Sequence, residues 1–280
     1  MDYWSIIPPI KLKGTHYTLT GYSRAARKTS FYIPELKILL DCGISTNFSP
    51  EHIFITHGHL DHCFNLPMTL CDNPVKPIIY VPNEIEEYIK NFIHHAYVLC
   101  TLDHNPEIHK FYTLKSVFLE NFIIKIKNTE FIVEIFKCFH TIPCLGYGFI
   151  EIRKKLKDEY KEIMNDKKKL IELKKSGVEL MHQIKFPIFC YIGDTSDEIL
   201  VNKELEKYPI IMIECTFLYP EHEEYAKINK HIHWNHINKY ICDHEKITFI
   251  LYHFSNRYNE LEIVEFFKKN TLCTNIIPWC

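Results

Sequence analysis

The residues of this sequence best suited to chemistry form one run, Thr56-His57-Gly58-His59-Leu60-Asp61-His62. Three imidazoles and one carboxylate fall within six residues, directly after an apolar segment that predicts a strand. These groups bind zinc, manganese or iron. The spacing allows His57 and His59 to serve one metal, and Asp61 and His62 a second. The alternative is a solvated, His-rich loop. We expect Gly58 to permit the sharp turn that orients the neighbouring side chains toward a common point.

Further candidate ligands follow later apolar segments. They are His140 after residues 131–139, Asp194 after residues 186–192, and His253 after residues 247–252. One such residue could be a chance polar group at a strand end, but three in the same situation favour a shared function. With Asp194 as a bridging carboxylate, the set would hold two metals. Such a pair generates hydroxide near neutral pH and clamps a phosphoryl group for in-line displacement.

The elements that must position these residues are short apolar strands. Strands are predicted at 30–34, 36–41, 52–56, 77–81, 110–118, 122–127, 131–138, 146–152, 186–192, 210–215 and 247–252, and helices at 83–95, 197–206, 234–243 and 259–269. Many strands followed by strand–helix alternation suggest two sheets with helices outside. We expect residues 1–280 to form a single domain with one charged insertion.

These motifs, taken in order, resemble the metallo-β-lactamase fold superfamily. The resemblance implies an α/β fold: an αββα sandwich of two mixed β-sheets flanked by helices. Further segments resemble the tRNase Z family, closest to its short forms, from about Ser23 to Tyr258. They read HTIPCLGY at 140–147, GDTS at 193–196, IECTF at 213–217, HIH at 231–233 and HFSNRY at 253–258.

The resemblance to tRNase Z implies a role for each site residue. His57, His59 and His140 would hold a first zinc, and Asp61, His62 and His253 a second, with Asp194 bridging. Manganese or iron would also suit this set. Asp61 would orient or deprotonate the attacking water. His231 would protonate the leaving 3′-oxygen, with Glu214 holding its tautomer. From the residues alone, His233 and His236 compete with His231, and a surface histidine is the plain alternative.

The sequence departs from the family pattern at three places. Ile213 stands where the family's HEAT motif has histidine, and His231-Ile232-His233 replaces HST. Asp41-Cys42-Gly43 matches the start of the D-x-G-E-G loop, but the next two residues do not. That loop lines the substrate approach in the family.

A basic segment interrupts the strands between His140 and Asp194. Residues 153–175 carry ten Lys or Arg and five Asp or Glu in a chain of formal net charge -2. The family places a flexible, tRNA-gripping arm here, so an arm-like insertion is expected at about 153–185, in a helical variant. It would contact phosphates without reading sequence. The alternative is a solvated helical hairpin.

The amino-acid composition excludes several classes of protein. Apolar residues make up 46% of the 280-residue chain, which argues against disorder, and the net charge excludes a uniformly basic nucleic-acid binder. No signal peptide, transit peptide or membrane span is apparent. Eleven scattered cysteines without a CxxC predict reduced thiols, and a cytoplasmic location is expected, with the nucleus possible.

Three hypotheses remain. The first is a two-zinc phosphodiesterase, an endoribonuclease that removes the 3′ trailer from precursor tRNA, as a homodimer by resemblance. The second is a small-molecule hydrolase of the same fold, such as a cyclic-nucleotide phosphodiesterase or a lactonase. The third is a non-catalytic, metal-stabilised RNA-binding protein. Under the first, Ser255 and Arg257 would contact the scissile or a neighbouring phosphate, although a salt bridge would equally explain Arg257.

Overall fold

A computed structural model describes residues 2–71, 73–104, 107 and 110–280. The first of its two seven-stranded sheets is built from the amino-terminal part of the chain. Its strands are β1 (Ile10–Lys11), β2 (Thr18–Arg24), β3 (Lys28–Ile33), β4 (Ile38–Leu40), β5 (His52–Phe54), β6 (Ile78–Pro82) and β7 (Thr113–Val117). They lie in chain order, antiparallel from β1 to β4 and parallel from β4 to β7.

The second sheet repeats this mixed arrangement with the carboxy-terminal strands. They are β8 (Phe122–Ile126), β9 (Thr129–Cys138), β10 (Cys144–Leu156), β11 (Met181–Tyr191), β12 (Ile210–Glu214), β13 (Thr248–Tyr252) and β14 (Ile276–Pro278). Strands β8 to β11 are antiparallel, whereas β11 to β14 are parallel. The carboxyl ends of β11, β12 and β13 therefore meet at one edge of the sheet.

Helices cover the outer face of each sheet. The α-helices are α1 (Leu60–Cys63), α2 (Leu66–Cys71), α3 (Glu86–Thr101), α4 (Lys167–Lys175), α5 (Glu223–Asn229), α6 (Trp234–Asp243) and α7 (Glu260–Asn270). Apolar residues of α2 and α3 form one outer core with the first sheet, and those of α6 and α7 form another with the second. No helix in the described part of the chain is long and apolar enough to cross a membrane.

The central core lies between the two sheets and is rich in aromatic side chains. Phe31, Phe54, Tyr147, Tyr252 and Trp279 are fully or almost fully buried there. Strands such as β4 and β12 are buried at every position, because one face packs on the other sheet and the opposite face packs on helices. These layers confirm the predicted αββα sandwich of two mixed sheets flanked by helices.

The predicted strands fall on strands β3 to β13, whereas β1, β2 and β14 lack a clear sequence signal and were missed. The helical segment predicted at 197–206 is present, but it is not one continuous helix. Residues Asp197–Val201 and Lys203–Lys207 form two short 3-10 helices instead. Asn202 separates them, because its backbone is extended and its side chain accepts a hydrogen bond from the Glu204 amide.

The charged segment is a hairpin with a small helical tip. Strands β10 and β11 stay paired as far as Leu156 and Met181, so the start of the segment expected to be helical is strand. The tip holds a 3-10 helix, Asp158–Ile163, and α4, neither of which has a buried residue. We call residues 153–185 the hairpin arm.

One cysteine pair contradicts the expectation of reduced thiols throughout. Cys242 in α6 and Cys273 form a disulfide, and the other nine cysteines are free. The two are 31 residues apart in sequence, and only the packing of the carboxy-terminal segment beside α6 brings them together. Sequence spacing gave no signal for this contact.

Candidate metal centre

The candidate ligands lie at the ends of strands from both sheets. His57 and His59 follow β5, and His140 follows β9. Asp194 and His253 follow β11 and β13, which are parallel to β12 and lie on either side of it. Asp61 and His62 lie on α1, which begins directly after His59. The packing of the two sheets therefore brings all seven predicted ligands to one site.

The first group consists of His57, His59, His140 and Asp194, whose ligand atoms lie within 4.8 Å of one another. His59 Nδ1 lies 3.1 Å from His57 Nε2 and 3.2 Å from His140 Nε2. His57 Nε2 is also 3.7 Å from Asp194 Oδ2. Three imidazole nitrogens and a carboxylate oxygen thus converge on one point, as a zinc site requires.

The second group consists of Asp61, His62 and His253. The Nε2 atoms of His62 and His253 are 3.3 Å apart, and His253 Nε2 lies 3.3 Å from Asp61 Oδ2. Asp194 Oδ2 is 3.5 Å from His62 Nε2 and 3.3 Å from His253 Nε2. Because it also borders the first group, Asp194 is placed to bridge the two.

Four of the ligand histidines have a partner for the ring nitrogen that faces away from the centre. His57 Nδ1 donates to Thr56 Oγ1 (2.9 Å), His62 Nδ1 to Asp41 Oδ2 (2.7 Å), His140 Nδ1 to the Lys230 carbonyl (3.2 Å) and His253 Nδ1 to Thr216 Oγ1 (3.0 Å). This pattern fixes the tautomer that leaves the inner nitrogen free to bind a metal.

An unpaired atom supports the same conclusion. Asp194 is 1% exposed, and its Oδ1 is buried without a hydrogen-bond partner. A buried carboxylate oxygen without a partner is costly, and a cation between the two groups would satisfy it. The donor set, its outer partners and this orphaned oxygen together fit a metal centre.

The electrostatics of the cluster suit cation binding. Burial and the neighbouring His62 hold the pKa of His57 well below its usual range, so its imidazole is neutral. Burial opposes ionisation of Asp61, but the hydrogen bond from His253 and the charge of His62 lower its pKa to about 2. His57 therefore presents a neutral imidazole and Asp61 an ionised carboxylate, which are the forms that bind metals. Asp194 and Asp41 outweigh burial and raise the pKa of His62 well above its usual range, so His62 must lose a proton when it binds a metal.

Asp41, which matched only the start of a loop motif in the sequence, is a buried hydrogen-bond partner within the centre. Its carboxylate is 0% exposed and accepts hydrogen bonds from the Thr56 amide, the Thr56 hydroxyl, His62 and the Tyr191 hydroxyl. It therefore orients the loop that carries the first ligands as well as His62 itself. In the sequence, the indication of this role was a carboxylate at the end of the apolar segment 36–41.

The backbone around the centre is locally strained and tightly packed. Asp41 and His253 adopt positive φ angles of 56° and 64°, a conformation that costs free energy and that surrounding contacts must enforce. The expected sharp turn at Gly58 is absent, because its φ is not positive and a Cβ there would have only ordinary contacts. Gly193 is constrained, because a Cβ there would lie 2.6 Å from Cys144 Sγ and 2.8 Å from the Leu145 carbonyl oxygen.

Glu214 and His231 lie beside the candidate metal ligands and are joined by a hydrogen bond. His231 Nδ1 donates to Glu214 Oε1 at 2.7 Å, while the buried Glu214 carboxylate also accepts from the amides of Thr195, Thr216 and Ile232. Burial opposes the charged imidazolium, but Glu214 raises the pKa of His231 to about 9. His231 is therefore held in one orientation and is protonated at neutral pH.

The two competing histidines are engaged elsewhere. His233 Nε2 donates to the Tyr219 carbonyl at 2.9 Å, and its Nδ1 accepts from an amide at the start of α6. His236 Nε2 lies 3.4 Å from Glu223 Oε1, and His236 Nδ1 lies 3.7 Å from Asp197 Oδ2. Only His231 of the three contacts Glu214 in the described structure.

Thr216 links the Glu214–His231 pair to the metal ligands. Its hydroxyl donates to Glu214 Oε2 at 2.5 Å and accepts from His253 Nδ1 at 3.0 Å. A continuous chain of hydrogen bonds therefore runs from a candidate ligand to His231. The sequence contained Thr216 within a matched motif, but its spacing did not indicate this contact.

A cleft of about 730 Å³ opens over the centre, and Ser255 and Arg257 lie in it with Asp61 and His231. We call it the Arg257 cleft. Arg257 donates to Ser255 Oγ at 3.1 Å, and its guanidinium carbon lies 5.0 Å from the centre of the Tyr225 ring. No described carboxylate lies within 4.0 Å of it, so the salt bridge considered as the alternative does not form among the described residues.

Comparison with known proteins finds relatives along most of the chain, although no protein-family model matches. The protein named tRNase Z TRZ1 of Arabidopsis thaliana is 32% identical over 260 residues, covering 88% of this chain and 88% of that protein. A second Arabidopsis protein, chloroplastic tRNase Z TRZ2, is 30% identical over 259 residues, covering 89% of this chain and 70% of its own length.

Solved structures show the same fold. Human tRNase Z, short form, superposes with a TM-score of 0.54 at 19% identity, covering 85% of this chain and 93% of the human one. The metallo-β-lactamase fold protein YhfI of Bacillus subtilis gives a TM-score of 0.56 at 12% identity, covering 93% and 94%. At these identities the likeness concerns architecture alone.

Proposed function

Since the chain belongs to the tRNase Z family, also called ribonuclease Z, we propose that it is an endoribonuclease that removes the 3′ trailer from precursor tRNA. The observation that carries this proposal is the 2.7 Å hydrogen bond from His231 to Glu214 beside the seven converging ligands. It supplies a protonated, oriented acid next to a site built for metals.

We propose that the centre holds two zinc ions. His57, His59 and His140 would bind the first and Asp61, His62 and His253 the second, with Asp194 shared. When bound, the pair of cations would activate water and neutralise the charge that builds up on the phosphoryl oxygens. Manganese or iron would fit the same donors, so the metal must be measured.

The side chains would perform the remaining steps. Asp61, held ionised, orients the attacking water and accepts its proton. The oxygen of the water bonds to phosphorus as the bond to the 3′-oxygen breaks. His231 Nε2 lies free of Glu214 and gives its proton to that oxygen. The products are a tRNA with a 3′-hydroxyl and a trailer with a 5′-phosphate.

The hairpin arm and the Arg257 cleft would hold the RNA. We propose that the arm is an insertion of a single metallo-β-lactamase-like domain and that its exposed lysines contact tRNA phosphates, independent of sequence. Ser255 and Arg257 would contact the scissile phosphate or its neighbour, since both lie in the cleft with Asp61 and His231.

Two further parts of the proposal concern assembly and compartment. Leu60, Phe64 and Met68 are 61%, 59% and 54% exposed on neighbouring helical turns, and this surface would suit pairing of two copies. Light scattering at several concentrations tests the homodimer. The nine free thiols favour a reducing compartment such as the cytoplasm.

The decisive experiment combines metal analysis with cleavage of a 3′-extended precursor tRNA. We expect two metal ions per chain and one cut after the discriminator base. Asp61→Ala should reduce cleavage below detection. If the metal-loaded protein leaves the precursor intact but hydrolyses a cyclic nucleotide or a lactone, a small-molecule hydrolase is correct instead. Binding of the precursor without any turnover would favour the non-catalytic alternative.

A further inference from the structure

A second cavity borders the metal centre at His140, which does not line the Arg257 cleft. Its volume is about 450 Å³, and we call it the His140 cavity. The lining side chains that matter here are Glu84, Phe118, Leu119, Lys137, Phe139 and Lys230. His140 belongs to both the cavity and the metal cluster, so a ligand in the cavity lies next to the reacting phosphate.

The rim of the cavity exposes apolar side chains that do not serve the core. Phe118 and Leu119 are 57% and 61% exposed, directly after β7. Large adjacent apolar groups at the mouth of a site mark a surface that binds something. Phe139, which is partly exposed, lines the same cavity. The cavity therefore offers aromatic faces to a planar ligand.

The charge around these rings is positive. Lys137 and Lys230 are exposed on the cavity wall, against the single carboxylate of Glu84. The ammonium nitrogen of Lys137 lies 5.8 Å from the centre of the Phe139 ring. Aromatic faces beside cations are the combination by which proteins hold single-stranded nucleotides, because the ring stacks on the base and the cation contacts phosphate.

The chemistry of cleavage decides which part of the RNA this cavity would receive. In-line displacement places the attacking water and the leaving 3′-oxygen on opposite sides of phosphorus. The nucleoside that carries the 3′-oxygen must lie beside His231, which faces the Arg257 cleft. The trailer remains bonded to phosphorus through its 5′-oxygen. This oxygen lies off the line that joins the attacking oxygen, phosphorus and the leaving 3′-oxygen. The trailer therefore leaves the centre in a different direction from the tRNA.

We propose that the His140 cavity binds the first nucleotide of the trailer, with its base stacked on Phe118 and its backbone near Lys137. This inference rests on the proposed tRNA 3′-processing function and names a determinant of its substrate. Binding there would fix the 5′-oxygen of the trailer and so orient the scissile phosphate over the metals.

Two precursors that differ only in the first trailer nucleotide test the proposal. One carries a normal base there and the other an abasic ribose. For the unaltered protein we expect kcat/KM to fall about 10-fold on the abasic RNA, as loss of one stacked base implies. Phe118→Ala should lose about the same factor on the normal RNA and little more on the abasic one. Phe118→Tyr, which keeps a stacking ring, should restore cleavage.

Phe111→Ala is the matched control, because Phe111 is 46% exposed but lies outside the cavity. It should cleave both RNAs like the unaltered protein. Phe118 is mostly exposed, so its truncation leaves no core void, and an unchanged melting temperature checks this. Equal losses by Phe118→Ala on both RNAs, or no loss on either, would overturn the inference. Failure of the unaltered protein to cleave either RNA would instead refute the proposed function.

Discussion

The metal centre and the hairpin arm lie at opposite ends of β11, and they differ in how their charged groups are stabilised. At the centre, Asp194 and Glu214 are almost fully buried, and backbone amides or imidazoles surround them. On the arm, the tip helices have no buried residue, and ion pairs such as Lys161–Asp158 are exposed. Buried groups depend on single partners, whereas exposed charges act additively and are screened by salt.

This difference predicts how each region responds to substitution. A change of one atom at the centre leaves a buried partner unsatisfied and should affect the chemical step. A change of one charge on the arm should alter only association with RNA, by a small factor. The following variants test that contrast from the largest effect to the smallest.

His231→Gln should give the largest effect, because it removes the proton donor. We expect kcat on precursor tRNA to fall by about 10²- to 10⁴-fold, with KM little changed. Glu214 raises the pKa of His231 to about 9, so the protonated acid is present below that pH and is lost as the pH rises through it. The alkaline fall in kcat that this causes should disappear in the variant. An unchanged alkaline limb would assign the acid elsewhere.

Thr216→Val should come next, because it keeps the shape of the side chain but breaks both hydrogen bonds, to Glu214 and from His253. We expect a loss of about 10- to 100-fold in kcat together with weaker metal retention, as for other partners of metal-bound histidines. Thr216→Ser retains the hydroxyl and is the matched control. If both variants behave alike, the hydroxyl has only a packing role.

Neutralising three lysines of the arm should give the smallest effect. Lys167, Lys168 and Lys169→Gln together should raise KM for precursor tRNA roughly 10-fold at moderate salt and flatten its salt dependence, with kcat unchanged. Hydrolysis of bis(p-nitrophenyl) phosphate, which is too small to reach the arm, should not change. Lys268 and Lys269→Gln on α7 serve as a control of similar exposure. A fall in kcat on the small diester would contradict the division between the two regions.

Much of the fold could be predicted because the inner strands are buried on both faces and read as continuous apolar runs. Strand β2 was harder, since its Thr, Gly and Ser residues lack that signal although most are buried. The base of the arm was mispredicted as well. Its charged residues favour helix, yet those at 153–156 continue the ladder of β10 because β11 supplies a paired partner.

The types and order of the candidate ligands are properties of the sequence, since imidazole and carboxylate after strand ends already indicate a metal centre. Only the tertiary structure determines which residues hold these ligands in place through hydrogen bonds. The bonds of Asp41 to His62 and of Thr216 to both His253 and Glu214 join residues up to 37 positions apart. Spacing carries no information about such contacts, because they depend on how two sheets pack. The same packing selected His231 over His233 and His236, and brought Cys242 to Cys273.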